Sequence, residues 1–143
     1  PGLCQPKVAA ASAGAVHPAE AAVYIVTFAN CVMVGHTGIV EAARAATEAV
    51  DAGVGKVLSA IKRKGGVALV TADHGNADKM IAEDGGAFTA HTTNPVPLVL
   101  VDASGSNLSL SGAEGCLADI APTLLAMIGL PQPAEMTGES LLA

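Results

Sequence analysis

The residues of this chain best suited to chemistry are its histidines, His17, His36, His74 and His91. Three of them stand in small, polar settings next to glycine or threonine. His36 lies in Val34-Gly35-His36-Thr37-Gly38, and His74 in Thr71-Ala72-Asp73-His74-Gly75-Asn76. His91 lies in Thr89-Ala90-His91-Thr92-Thr93-Asn94-Pro95. Asp73-His74 sets a carboxylate beside an imidazole on a turn that Gly75 keeps adaptable. Carboxylate and imidazole donors suit Mn²⁺, Zn²⁺ or Fe²⁺ rather than metals that prefer thiolates. Taken alone, Asp73-His74 is more simply a turn-capping acid beside a surface histidine. His36 and His91, in matching loops, tip the reading towards a metal site. His17 sits beside Pro18 in an irregular stretch and reads as an ordinary surface residue.

Other candidates carry less. Gly35-His36-Thr37-Gly38 lacks the spacing and the Lys-Ser/Thr ending of a phosphate-binding loop. Gly85-Gly86 reads as a plain turn. Lys62-Arg63-Lys64 complements a helix C-terminus rather than forming a binding patch. Cys31 is near His36 in sequence, but a buried, inert thiol is the commoner state.

Elements must position these loops. Val23–Phe28 is a short β-branched and aromatic run and predicts a buried strand, followed by a loop over Asn30–Gly38. The clearest helix is Ile39–Lys64, where apolar residues recur at helical spacing from Ile39 to Ile61. Arg44 can pair with Glu41 or Glu48 on its outer face. Gly53 and Gly55 open the prospect of a kink, and Gly65-Gly66 stops the helix. Val67–Thr71 predicts the second strand and Val96–Val101 the third, with Pro97 near its start. Asp119–Ile128 predicts a second helix, capped by Asp119, with Pro122 in its first turn and Gly129 after it. Strands alternating with helices indicate an α/β layer fold with a mostly parallel sheet. In such sheets, sites collect beyond the carboxyl ends of the strands, where two of the three histidine loops fall.

Composition narrows the function classes. The chain has 143 residues, 51% hydrophobic and 14% charged, with a formal net charge of −6. That excludes disorder, which needs low hydrophobicity and high charge. Seven Lys+Arg against 13 Asp+Glu, with 2% aromatics, leave no footprint for nucleic acid. No window of about 18 residues is apolar throughout, so no membrane span is expected. Three widely spaced cysteines, Cys4, Cys31 and Cys116, form no CxxC, and a reduced cytoplasmic setting fits. The chain opens at Pro1 rather than Met, which points to a fragment or a processed product.

The order of these motifs carries a specific likeness. Phe28–Gly38 (FANCVMVGHTG), Val70–Met80 (VTADHGNADKM), Thr89–Val101 (TAHTTNPVPLVLV) and Asp119–Leu142 cover most of the chain from Phe28 onward. The chain resembles the C-terminal part of the phosphatase domain of cofactor-independent phosphoglycerate mutases, in the alkaline phosphatase superfamily. The resemblance implies a metalloenzyme interconverting 2- and 3-phosphoglycerate in glycolysis, with two divalent metals, typically manganese. It implies His36 and His91 as ligands of one metal, and Asp73 and His74 as ligands of the other. The family's third ligand at the first site is an Asp four residues before the histidine of GHTG, where this chain has Val32. No serine here matches the family's phosphoryl-accepting serine, and nothing in Pro1–Val26 resembles its transferase domain.

The resemblance therefore leads to an alkaline-phosphatase-like α/β fold, incomplete relative to the family. It is expected as one partial domain over 1–143, irregular over 1–22 and motif-bearing over 23–143. The isolated chain is expected to lack mutase turnover and to self-associate through an exposed sheet edge. The alternatives are a degenerate non-catalytic remnant and a stand-alone metal-binding or phosphatase-like module.

Overall fold

A computed structural model describes Ala10 and residues 23–143. Apart from Ala10, the expected irregular segment at 1–22, with His17 and Cys4, lies outside the described residues. The chain divides into two compact units, Pro1–Ala103 and Ser104–Ala143.

The first unit is ordered around one long helix. Helix α1 (Asn30–Gly35) leads into helix α2 (Val40–Arg63), and strands β1 (Val67–Val70) and β2 (Val99–Asp102) follow. Helix α2 matches its expected span to within a residue at each end. Glu41 stands in its first turn and Lys62 and Arg63 in its last, as the helix dipole favours. It runs unbroken through Gly53 and Gly55. The reason lies in its buried positions, Ala43, Gly53 and Ala60. Gly53 and Ala60, seven residues apart, share a stripe, and small side chains there let neighbours approach the helix closely. Arg44 pairs with Glu41 at 3.1 Å and with Glu48 at 3.8 Å, both exposed pairs that add little stability. Backbone bonds from Gly65 to Lys62 and from Gly66 to Ile61 end the helix. Helix α2 packs against α1 and β1.

Four expectations are corrected. The run at 23–28 is not a strand, and Tyr24 and Ile25 are 42% and 87% exposed. A strand needs a ladder partner, and no strand pairing or bridge among the described residues involves this run. The expected loop at 30–38 holds helix α1 instead. The described strands are not parallel: Val67 pairs with Asp102 and Val70 with Val99, antiparallel. The second of these strands starts at Val99, not Val96. Pro97, without an N–H to give the ladder, stays outside it.

Between the strands the chain folds back on itself. The Phe88 N–H donates to Met80 O at 2.9 Å, and the Ala82 N–H to Gly86 O at 2.9 Å. The tip at Gly85-Gly86 is the expected turn, closed by the Gly86 N–H on Asp84 Oδ1 at 2.9 Å. This excursion returns the chain so that Gly75 bridges Thr92.

In the second unit a short 3₁₀ turn (Leu117–Asp119) runs directly into helix α3 (Ile120–Met127). Pro122 sits in the first turn of α3, buried. Asp119 does not cap α3 as expected. Its carboxylate turns away and accepts N–H bonds from Cys116 at 2.7 Å and Glu139 at 2.8 Å. Thr123, wholly buried, donates to Asp119 O at 2.6 Å and accepts the Leu141 N–H at 3.0 Å. One acid and one hydroxyl thus tie the C-terminal segment to the start of α3. The Gly129 and Leu130 N–H groups, bonding Ala126 O and Leu125 O, finish the helix.

Candidate metal centre

All four proposed ligands lie in the first unit, and three loops supply them. His36 follows α1 directly, its N–H bonded to Val32 O at 3.3 Å. Thr37 locks the exit: its hydroxyl donates to Val34 O at 2.6 Å and accepts the Ile39 N–H at 3.3 Å. Asp73 and His74 follow β1. His91 follows the excursion, one residue before the Gly75–Thr92 bridge.

Glycine lets the loops converge. A Cβ on Gly35 would lie 1.5 Å from Asn76 Oδ1, and one on Gly75 would lie 2.1 Å from Thr92 Oγ1. Both approaches are closed to any larger residue. Asn76 Oδ1, buried against Gly35, is left with no hydrogen-bond partner among the described protein groups.

The imidazoles form a chain of contacts. His74 and His91 are stacked, with ring centroids 3.7 Å apart and planes at 14°. His91 and His36 are 5.1 Å apart and tilted, and their Nε2 atoms are separated by 3.3 Å. His36 Nδ1 lies 2.6 Å from Thr89 O, and His74 Nδ1 lies 3.1 Å from Gly75 O. A carbonyl oxygen only accepts, so each Nδ1 carries the proton and donates it. That leaves the neutral form of each ring with a bare lone pair on Nε2. A carbonyl behind the ring is the usual way a protein orients a metal-binding histidine. His74 Nε2 faces Asp73 Oδ1 at 3.6 Å, two acceptors turned towards each other. A cation between them would resolve that opposition.

The donor set therefore fits a divalent ion in pairs. Two nitrogens on one tetrahedral ion at ~2.1 Å lie about 3.4 Å apart. The 3.3 Å between His36 Nε2 and His91 Nε2 matches that chord. No three His, Cys, Asp or Glu side chains among the described residues form a ready site. Val32, where the resemblance implies a carboxylate, offers no donor. Positions 32 and 36 lie one turn apart on one face of a helix, where a carboxylate could join His36. Cys31 is not aimed at His36; its Sγ meets Thr47 Oγ1 at 3.8 Å.

One residue of this region carried no role in the sequence reading. Asp78 Oδ2 accepts the Asn94 side-chain amide and, at 2.8 Å, the Thr92 hydroxyl. The Asn94 bond first, and the Thr92 bond second, hold its carboxyl below the usual range. The signal available was the clustering of Thr92 and Asn94 around His91.

Comparison with known proteins follows this geometry. A family model described as the Metalloenzyme superfamily matches residues 4–132. A 2,3-bisphosphoglycerate-independent phosphoglycerate mutase of Microcystis aeruginosa is 45% identical, over 99% of this chain and 28% of that protein. The enzyme so named from Acetivibrio thermocellus is 52% identical, over 89% of this chain and 24% of that protein. A crystal structure of Leishmania mexicana phosphoglycerate mutase at low cobalt concentration aligns with a TM-score of 0.86 at 28% identity. That alignment covers 97% of this chain and 28% of the other. The chain spans about a quarter of the length of the relatives it matches.

Proposed function

The chain belongs to the Metalloenzyme superfamily, and on that premise we propose that it holds divalent metal for phosphoryl transfer between 2- and 3-phosphoglycerate. The observation that supports this best is the approach of the His36 and His91 Nε2 atoms, 3.3 Å apart. His36 and His91 would hold one ion, and Asp73 and His74 a second. Manganese is the proposed metal, in a cytoplasmic, glycolytic enzyme. When bound, such ions neutralise charge on a phosphoryl group and activate the attacking oxygen.

The chain's own residues prepare that chemistry. Thr89 O keeps the His36 proton on Nδ1, so its Nε2 is free to donate a lone pair. Gly75 O does the same for His74. Asp73 supplies the anionic donor and is open to solvent, with its side chain 82% exposed. No serine of this sequence matches the family's phosphoryl acceptor, so the share of the reaction proposed for this chain is metal holding, with no turnover of its own. Val32 supports a site weaker than one with a carboxylate there. Strands β1 and β2 pair only with each other among the described residues, which supports self-association along a strand edge. Among the described residues no helix is long and apolar enough to cross a membrane.

Titration of the chain with Mn²⁺, followed by calorimetry and by the ion's paramagnetic resonance, tests the reading. Saturable binding lost on His36→Ala or His91→Ala is the expected result. Binding unchanged by both substitutions would overturn it. A mutase assay of the same samples with Mn²⁺ present should show no turnover; a rate like that of a full-length relative would refute the metal-holding role as the chain's whole share.

A further inference from the structure

We infer that Asp78 is a positioning residue for the metal centre, clamping the His91 loop onto the Asp73-His74 loop. The inference rests on the metal-holding reading above and adds to it a residue that donates nothing to the ion. Asp78 stands four residues beyond His74, on the same loop. Its Oδ2 receives two donors from the other loop, Thr92 Oγ1 at 2.8 Å and the Asn94 amide. Those residues bracket the stretch just after His91. A backbone bond from the Thr92 N–H to Gly75 O, 2.9 Å, runs beside them.

The knot leaves no slack. A Cβ on Gly75 would come within 2.1 Å of Thr92 Oγ1 and 2.8 Å of Asp78 Oδ1. Gly75, Asp78 and Thr92 are thus packed together, and His74 and His91 extend from the two loops they join. The stacking of those rings at 3.7 Å is the direct product. Both named donors converge on one oxygen of an ionised carboxylate, and such charge-assisted bonds are the stronger kind. Removing the carboxylate frees the loop on which His91 rides. His36 is held at Thr89 O, two residues before His91 and outside the Thr92 and Asn94 contacts, so the His36–His91 chord would be lost from the His91 side.

The test uses the full chain and metal alone as the probe. Mn²⁺ is titrated calorimetrically into wild type, Asp78→Ala, His91→Ala, and Asp78→Asn paired with Asn94→Asp. Co²⁺ serves as a visible probe, because its d–d band intensity at saturation reports the number and arrangement of ligands. Asp78→Ala should bind Mn²⁺ about 10–100-fold more weakly, the range for losing a group that orients a ligand. Its saturated Co²⁺ band should shift towards that of His91→Ala, an effect that lower fold stability alone would not produce. The paired exchange, which restores a donor facing an acceptor, should recover most of the affinity and the wild-type band. Thr92→Ser, which keeps the hydroxyl, should behave as wild type and guards against a misfolded Asp78→Ala. Wild-type affinity and band in Asp78→Ala, with His91→Ala still impaired, would overturn the clamp and leave the metal centre standing. Wild-type binding in His91→Ala would overturn the metal centre, and the clamp with it.

Discussion

In the second unit, Asp119 and Thr123 bind backbone groups that would otherwise be stranded. Both carboxylate oxygens of Asp119 and the single hydroxyl of Thr123 are engaged. In the first unit, the histidine loops use the same kinds of groups and leave them unfinished. Two Nε2 atoms lie near each other, an imidazole nitrogen faces a carboxylate, and Asn76 Oδ1 is buried without a hydrogen-bond partner among the described residues. Buried polar groups are normally satisfied, so Asn76 Oδ1, the buried member of this set, calls for an explanation. The closed node holds the chain together; on the metal-holding reading the open one would hold an ion.

The largest expected effect tests the open side of that contrast. His91→Ala should weaken Mn²⁺ binding beyond the ~10–100-fold that accompanies loss of an orienting group. The unfolding transition of the metal-free protein should change little. A metal-free melting temperature that falls as steeply as the affinity would make His91 structural and erase the contrast. The second effect tests the closed side. Thr123→Val keeps the shape of the side chain but strands the Leu141 N–H, at a cost of about 1–3 kcal/mol. Denaturant unfolding measures it, and Mn²⁺ affinity should stay as it was.

A third change sharpens the comparison by completing the open node. Val32→Asp places a carboxylate one turn before His36 and should raise Mn²⁺ affinity, on the order of tenfold. Calorimetry showing no gain would count against the pairing of His36 and His91 on one ion. The smallest effect concerns acid. The Cys116 and then the Glu139 N–H bonds lower the Asp119 pKa below its ordinary 3.8. A depressed carboxyl contributes stability above its unfolded pKa and loses it as pH falls through the folded one. Melting temperature should therefore drop below about pH 4, and Asp119→Asn should flatten that part of the curve. An unchanged acid limb in the variant would assign the loss to other carboxylates, Asp78 among them.

The loops that carry the candidate ligands were legible in sequence, and so was the longest element that positions them. His36, Asp73, His74 and His91 stood out because each sits in a short polar loop between apolar runs, and the structure brings their loops together. Helix α2 was legible because its apolar period persists for six turns. Strand direction was not, since the chain between β1 and β2 reverses in an excursion whose pairing depends on backbone bonds such as Phe88 to Met80. The run at 23–28 has strand composition, but composition supplies no neighbouring strand. Asp119 was identified as a cap from its place before a helix, yet its carboxylate serves Glu139, 20 residues away. Asp78 escaped for the same reason, because its partners return only after the turn at Gly85-Gly86. Local patterns reveal which residues can act; long-range partners decide what they act on.

The His36–His91 approach spans 55 residues of chain, more than half of the first unit. A metal held by both would be a cross-link as well as a reagent. Closing so long a loop is costly in chain entropy, and a clip that holds it closed favours the folded chain correspondingly. Since only the folded form has the pair assembled, stability should rise with the logarithm of free metal above its dissociation constant. Metal supply would then govern how long the chain survives, by limiting the fraction open to proteolysis, as well as whether it works.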